Sequence, residues 1–151
     1  MTTSPAGAHD IPGDYSPDAR KIVFVRSGLA DEVQHALMVV NVDGSDEHAL
    51  TDRKVGAAGS WSPDGRTILT DADGSLLLVR VDGSQPNPIT IDEATDGFAL
   101  RGAWSPDGDW IVFSLTVNAG YSDIYIMRKD GTDLHQITDT PGQDEEFGDW
   151  R

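Results

Sequence analysis

The sequence contains no cysteine, which excludes a disulfide framework, a thiolate nucleophile and cysteine metal sites, and leaves the redox compartment open. Basic residues are scarce: 11 Lys and Arg stand against 26 Asp and Glu, a formal net charge of -15. Nucleic acid and anionic membrane surfaces are bound through basic patches, so neither is an expected partner. A cationic ligand, a basic protein or a divalent cation is compatible with the charge. No apolar run approaches the length of a membrane span, and Leu76–Val79 reads as a strand. Met1–Asp10 has neither a basic region nor an apolar stretch, so no secretory signal is expected and the chain as it stands is expected in the cytoplasm. Glycine-rich phosphate loops and sustained helical periodicity are also lacking. What remains is an all-β chain of 151 residues, long enough for one domain with a real core.

Its organisation is a repeat. Trp-Ser-Pro-Asp-Gly occurs at Trp61–Gly65 and Trp104–Gly108, with a weaker copy at Tyr15–Ala19 and a severed start at Gly148–Trp150. The spacings from Tyr15 to Trp61, Trp104 and Trp150 are 46, 43 and 46 residues, the period of a β-propeller blade. Gly13, Gly59, Gly102 and Gly148 each stand two residues before the aromatic, where the innermost strands of a propeller converge and leave no room for a side chain. Ser-Pro-Asp-Gly is turn chemistry. Second strands are expected over Lys21–Val25, Thr67–Thr70 and Trp110–Ser114, and third strands over Ala36–Asn41, Leu76–Val81 and Asp123–Arg128. Hairpin turns follow at Asp43–Ser45, Asp82–Ser84 and Asp130–Thr132. Fourth strands end in Leu50-Thr51, Ile89-Thr90 and Ile137-Thr138.

The expected layout is a flexible stretch over 1–10, then four-stranded blades over about 11–52, 57–90 and 100–138, and a surplus innermost strand over 147–150. Propellers close with roughly four to eight blades, and an open arc leaves apolar faces and strand edges to water. The three blades are therefore expected to be half of a six-bladed ring, closed by self-association unless the chain is a piece of a longer protein. In a paired ring the segment Phe147–Trp150 would replace the weaker Ile11–Tyr15 as the partner's innermost strand.

The combination of Trp-Ser-Pro-Asp-Gly, a short apolar strand, Asp-Ile-Tyr-Ile-Met, Asp-Gly-Thr and Ile-Thr resembles the WD40-like repeat of the TolB β-propeller family. Trp104–Thr138 carries it best. The second unit has Leu76-Leu77-Leu78 where the family prefers Ile-Tyr-Val, and the first lacks both the Trp and the turn glycine. The likeness runs from Ile11 to Trp150. It implies an architecture more than a function, since the family includes a periplasmic protein-binding component of an envelope system, propellers that support serine peptidases, and enzymes acting on sugars.

Function is expected on the variable loops. These are Arg26–His35, Thr51–Ala57, Asp71–Gly74, Ile91–Ala99, Thr116–Ser122 and Asp139–Glu146. Candidate partner contacts are Asp31, Glu32 and His35, the acidic run Asp144, Glu145 and Glu146, which leads toward the channel, and Arg101. Arg101 occupies the repeat position of Pro12, Ala58 and Phe147; a lone cation there suits an anionic ligand or an ion pair with an acidic loop. Asp71–Gly74 is too short for a calcium loop, which needs six to eight oxygen ligands, and reads as a tight hairpin. His9, His35, His48 and His135 fall at non-equivalent repeat positions without metal-ligand spacing. No cofactor is expected, although a divalent cation at the channel or acidic loops is compatible with the composition. The serines of Ser-Pro-Asp-Gly recur as turn residues and resemble no nucleophile elbow. The leading expectation is a non-enzymatic scaffold that binds a protein or small ligand through its variable loops and channel mouth. The alternatives are a structural or engineered self-assembling half-propeller, and a hydrolase or lyase with a channel-mouth site.

Overall fold

The computed structural model describes residues 7–28, 35–84, 87–89, 98–116, 120–145 and 150. Every regular element among them is a strand. Four strands, β1 (His9–Tyr15), β2 (Lys21–Ser27), β3 (Ala36–Asn41) and β4 (His48–Lys54), form the first sheet in sequence order. The second comprises β5 (Ser60–Trp61), β6 (Thr67–Ala72), β7 (Ser75–Arg80) and β8 (Asn87–Pro88). The third comprises β9 (Phe98–Trp104), β10 (Trp110–Thr116), β11 (Ser122–Arg128) and β12 (His135–Gln136). All neighbours are antiparallel. The three propeller-like blades pack in series, and the described residues form no closed ring.

β2 and β10 read as nearly continuous apolar runs, and β6 is buried over all but its first residue, because both faces of a middle strand are covered. Val23, Val25, Leu37 and Val39 of blade 1 pack against Ile68, Leu77 and Val79 of blade 2, with Trp61 in the same layer. Leu69 and Leu76 pack in turn against Ile111, Phe113, Met127 and Trp104 of blade 3. Full burial of one such large side chain stabilises the fold by about 2 kcal/mol. The indoles add direction to the stack. Trp61 Nε1 donates to the Asp14 carbonyl at 3.1 Å and Trp104 Nε1 donates to the Ser60 carbonyl at 3.3 Å. Each time the acceptor is the residue before the preceding blade's own aromatic. The first aromatic, Tyr15, has no described blade before it and is 58% exposed, whereas Trp61 and Trp104 are each 7% exposed.

Crowding at the innermost strands is as expected. A Cβ on Gly102 would lie 2.6 Å from Leu69 Cδ2, and one on Gly13 would lie 2.6 Å from Ala58 Cβ. Gly148 lies outside the described residues.

Several boundaries differ from expectation. β1 begins at His9, because Asp10 is tied to Arg26 of β2, so residues 9 and 10 belong to the sheet. β8 and β12 are only two residues long and end before Ile89 and Ile137. The Ile89 amide still donates to the Leu76 carbonyl at 3.0 Å, so the missing N–H of Pro88 blunts the outer edge instead, and very short outer strands also limit edge-to-edge pairing. Of the surplus segment 147–150 only Trp150 is described; it is half-buried and not in a strand. In the single chain β1 occupies the innermost position of blade 1, pairing from His9↔Ser27 to Tyr15↔Ile22, so a strand exchange would have to displace it.

The Ser-Pro-Asp turns are built alike in all three blades. Ser16 Oγ donates to Asp18 Oδ1 at 2.6 Å and accepts from the Lys21 amide at 2.9 Å. Ser62 with Asp64 and Thr67, and Ser105 with Asp107 and Trp110, repeat the arrangement. These hydroxyls are buried and committed to the turn, which leaves them no role as nucleophiles. At the following position Gly65 and Gly108 have φ of 68° and 74°, and Ala19 is held at 56° in their place.

Candidate functional site

Superposing the blades on Tyr15, Trp61 and Trp104, which pair with Ile22, Ile68 and Ile111, gives every middle-strand residue its counterparts. Most counterparts are alike. Asp71 of β6 is not, for it stands where blade 1 has Val25 and blade 3 has Ser114. Its backbone is regular strand, opposite Leu76, because the hairpin turn proper is confined to Asp73 and Gly74 (φ of 53° and 78°). Two residues with positive φ suit the twist of a two-residue hairpin.

Asp71 is 7% exposed and makes no hydrogen bond through its carboxylate to another described residue. It lines a cleft of about 360 Å³ with His35, Lys54, Val55, Gly56, Asp73 and Gly74. The cleft is fixed by backbone bonds from neighbouring elements. The Val55 amide donates to the His35 carbonyl at 3.0 Å, Gly56 to the Asp71 carbonyl at 2.8 Å, and Ala99 to the Gly74 carbonyl at 2.9 Å. Thr70 Oγ1 donates to the Ala57 carbonyl at 2.7 Å. Gly56 leaves the room that Asp71 Oδ2 occupies: a Cβ there would overlap it and force the Asp71 side chain to move. Burial pushes the Asp71 carboxyl above its ordinary value of 3.8, opposed by the Arg101 charge. A carboxyl whose ionisation is disfavoured can hold a proton and release it to a bound group.

Arg101 lies in β9 at an irregularity where pairing passes from Val112↔Ala103 to Ser114↔Leu100. Arg101 and Gly102 thus stand opposite Phe113 alone, and Arg101 takes a left-handed φ of 54°. A bulge of this kind re-aims a side chain, and a non-glycine residue held there carries strain of about 1 kcal/mol. The structure therefore joins two sequence candidates, His35 on the cleft and Arg101 beside Asp71. The expected tight hairpin at 71–74 concealed Asp71 itself. The signal for it is the repeat register, in which a carboxylate replaces a valine and a serine.

The acidic run is placed elsewhere. Asp144 Oδ1 accepts from the Ser122 amide at 3.0 Å, the Glu145 amide donates to the Ser122 carbonyl at 2.7 Å, and Glu145 Oε1 accepts from Thr140 Oγ1 at 2.7 Å. The Thr138 and Thr140 hydroxyls hold the Glu145 carboxyl below its ordinary 4.5. These two residues fold the segment back onto the start of β11. Glu146, Asp31 and Glu32 lie outside the described residues. Among the described residues, no group of three or more His, Cys, Asp or Glu side chains is arranged to hold a metal ion.

No family model matches the chain. Among curated proteins it is 31% identical over 131 residues to the Tol-Pal system protein TolB of Anaeromyxobacter dehalogenans (strain 2CP-C), covering 83% of this chain and 28% of that protein. It is 29% identical over 159 residues to the uncharacterised peptidase YuxL of Bacillus subtilis (strain 168), covering 75% of this chain and 23% of that protein. The chain thus spans about a quarter of the length of these relatives. Among solved structures, TolB from Acinetobacter baumannii superposes with a TM-score of 0.72 at 18% identity, over 91% of this chain and 34% of that one. The relation to TolB proteins is homology at low identity, and the fold is TolB-like. An oligogalacturonate lyase in complex with manganese superposes with a TM-score of 0.68 at 12% identity, over 87% of this chain and 41% of that one. Puromycin hydrolase and a prolyl endopeptidase also share the fold. These likenesses correct the expectation of a chain without enzymatic character: lyases and hydrolases carry this fold, as does a peptidase among the sequence relatives.

Proposed function

We propose, on the premise of a TolB-like fold shared with lyases and hydrolases, that this chain is the propeller segment of a hydrolase- or lyase-type protein. Its own contribution is the cleft at Gly56 and Asp71, which holds substrate and exchanges a proton with it. The observation that carries this reading is Asp71: a carboxyl at a buried position that the other blades give to valine and serine, without a hydrogen-bonded carboxylate partner, and opening on a cleft. Left ionised, such a group costs stability. As an acid or base it takes a proton from substrate or water in one step and returns it in the next. The test is turnover of peptide anilides and of oligouronides by the wild-type chain and by Asp71→Asn. The substitution should lower turnover by about 10²- to 10⁴-fold with the circular dichroism spectrum unchanged. Equal turnover by both proteins, or none of either substrate class by the wild type, would overturn the reading.

A second reading concerns assembly. We infer that three further blades, supplied by a second copy, complete a six-bladed ring. The contrast between exposed Tyr15 and buried Trp61 and Trp104 supports it, since Tyr15 occupies the position that elsewhere packs on a preceding blade. With β1 in place, closure needs no exchange of strands. Light scattering should give about 33 kDa, twice the 16.3 kDa chain; a mass near 16 kDa at all concentrations rules this out.

A further inference from the structure

The charges around the cleft point to the ligand. In a chain with 11 basic and 26 acidic residues, pairing is the ordinary fate of a cation. Arg20, Lys21, Arg26, Arg80, Arg128 and Lys129 each lie against a carboxylate. Lys54, like Arg53 and Arg66, makes no ion pair with a described residue, but of these three it is the one that lines the cleft, exposed at the end of β4. The same cleft is lined by the buried Asp71 carboxyl, whose Oδ2 lies against Gly56. From these we infer that the cleft binds its ligand through a carboxylate group, which Lys54 attracts and which shares a proton with the buried Asp71 carboxyl in a hydrogen bond.

The inference rests on the cleft reading above and adds the chemical class of what enters. Both donors are needed for a physical reason. An ammonium group alone on an open rim contributes little, while a hydrogen bond from a buried acid to a carboxylate is charge-assisted and short. The net charge of the chain does not forbid an anion here, because at physiological ionic strength charges beyond about 8 Å are largely screened. A free peptide C-terminus and a uronate sugar present the same carboxylate.

The experiment is calorimetric titration of the 151-residue chain with two matched pairs of probes. One pair is N-acetyl-dialanine and its C-terminal amide; the other is digalacturonate and its methyl ester. In at least one pair the free acid should bind about tenfold more tightly than its neutral counterpart, roughly the effect of one charge-assisted hydrogen bond, and the pair that discriminates identifies the source. Lys54→Gln should narrow the difference by a few-fold, and Lys129→Gln, at the hairpin turn between β11 and β12 and paired with Asp109, should leave it intact. Binding of the acid should weaken as rising pH ionises Asp71. His35, Lys54 and Asp73 face the same cleft and Arg101 lies beside Asp71, so the comparison is with Asp71→Asn, which keeps an N–H donor and should show a flatter pH dependence. Equal binding of acid and neutral probes, or discrimination that Lys54→Gln leaves unchanged, overturns the carboxylate inference while leaving the cleft as a binding site. Failure of all four probes to bind overturns both.

Discussion

Two buried charged side chains occupy middle-strand positions that the other blades give to uncharged residues, and they are treated in opposite ways. Arg26 of β2 stands where blades 2 and 3 have Ala72 and Leu115. Its guanidinium is bidentate to Asp10, at 2.8 and 2.9 Å, reaches Glu47 with its remaining nitrogen, and lies over the Phe24 ring. Asp71 of β6 stands where blades 1 and 3 have Val25 and Ser114, and no described residue donates to its carboxylate except through its own backbone amide. Arg26 is 4% exposed and Asp71 7%, so burial does not distinguish them. Their partners do. A buried charge bonded through each of its nitrogens is part of the scaffold, whereas one left with spare hydrogen-bonding capacity beside a cleft is available to something from outside.

The contrast can be broken from either side. The largest effect should come from Arg26→Ala, which leaves Asp10 and Glu47 facing each other without their cation. Urea unfolding should show a loss of about 3 kcal/mol, toward the lower end for broken buried pairs because both carboxylates are 23% exposed. Asp71→Asn should act in the opposite direction and raise the melting temperature at pH 7. The folded chain disfavours ionised Asp71, so the destabilisation it causes begins as pH rises above 3.8 and is complete above its folded value. Melting the two proteins at pH 3 should therefore show little difference between them. The turn carboxyls run the other way. Asp18, Asp64 and Asp107 are held below 3.8, first by the Ser16, Ser62 and Ser105 hydroxyls. Their contribution is complete above 3.8 and is lost as pH falls through their folded values, so acid unfolding belongs to the turns and Asp71 opposes it.

Smaller effects sharpen the division between scaffold and site. Ser62→Ala removes one turn hydroxyl and should cost about 1 kcal/mol in urea unfolding, with no change in ligand binding at the Asp71 cleft. Ala19→Gly relieves a left-handed alanine at φ 56°. Because glycine also gives the unfolded chain more freedom, the gain should be only about 0.5 kcal/mol by the same measurement.

The scaffold was largely legible in the sequence because its chemistry repeats. The aromatics at 46- and 43-residue spacings mark the innermost strands, and β3 falls on Ala36–Asn41 as expected. Arg101 was legible for the same reason, as the odd member of a series containing Pro12 and Ala58. Asp71 was not, because Asp-Ala-Asp-Gly looks like a four-residue turn until strand pairing shows that only its second half turns. The folding of Asp144 and Glu145 onto Ser122 and Thr140 was also hidden, since it depends on contacts across more than 20 residues in one case and on no repeated motif. Composition favoured a passive scaffold, but a surplus of carboxylates on the surface says little about one carboxylate placed inside.

The indole bonds between blades point only one way. Trp61 leans on Asp14 and Trp104 leans on Ser60, whereas the reverse link found is a single hydroxyl, Ser60 to the Gly102 carbonyl at 3.2 Å. The three blades therefore resemble a row of leaning dominoes more than a stack of plates. Cutting away the third blade would cost the second its Ser60 hydroxyl bond, the donors to its Ser60 and Gly74 carbonyls, and a packing face, but would leave Trp61 its own acceptor. Cutting away the first would take the support from the second blade's central aromatic, and instability would then pass down the row toward the C-terminus.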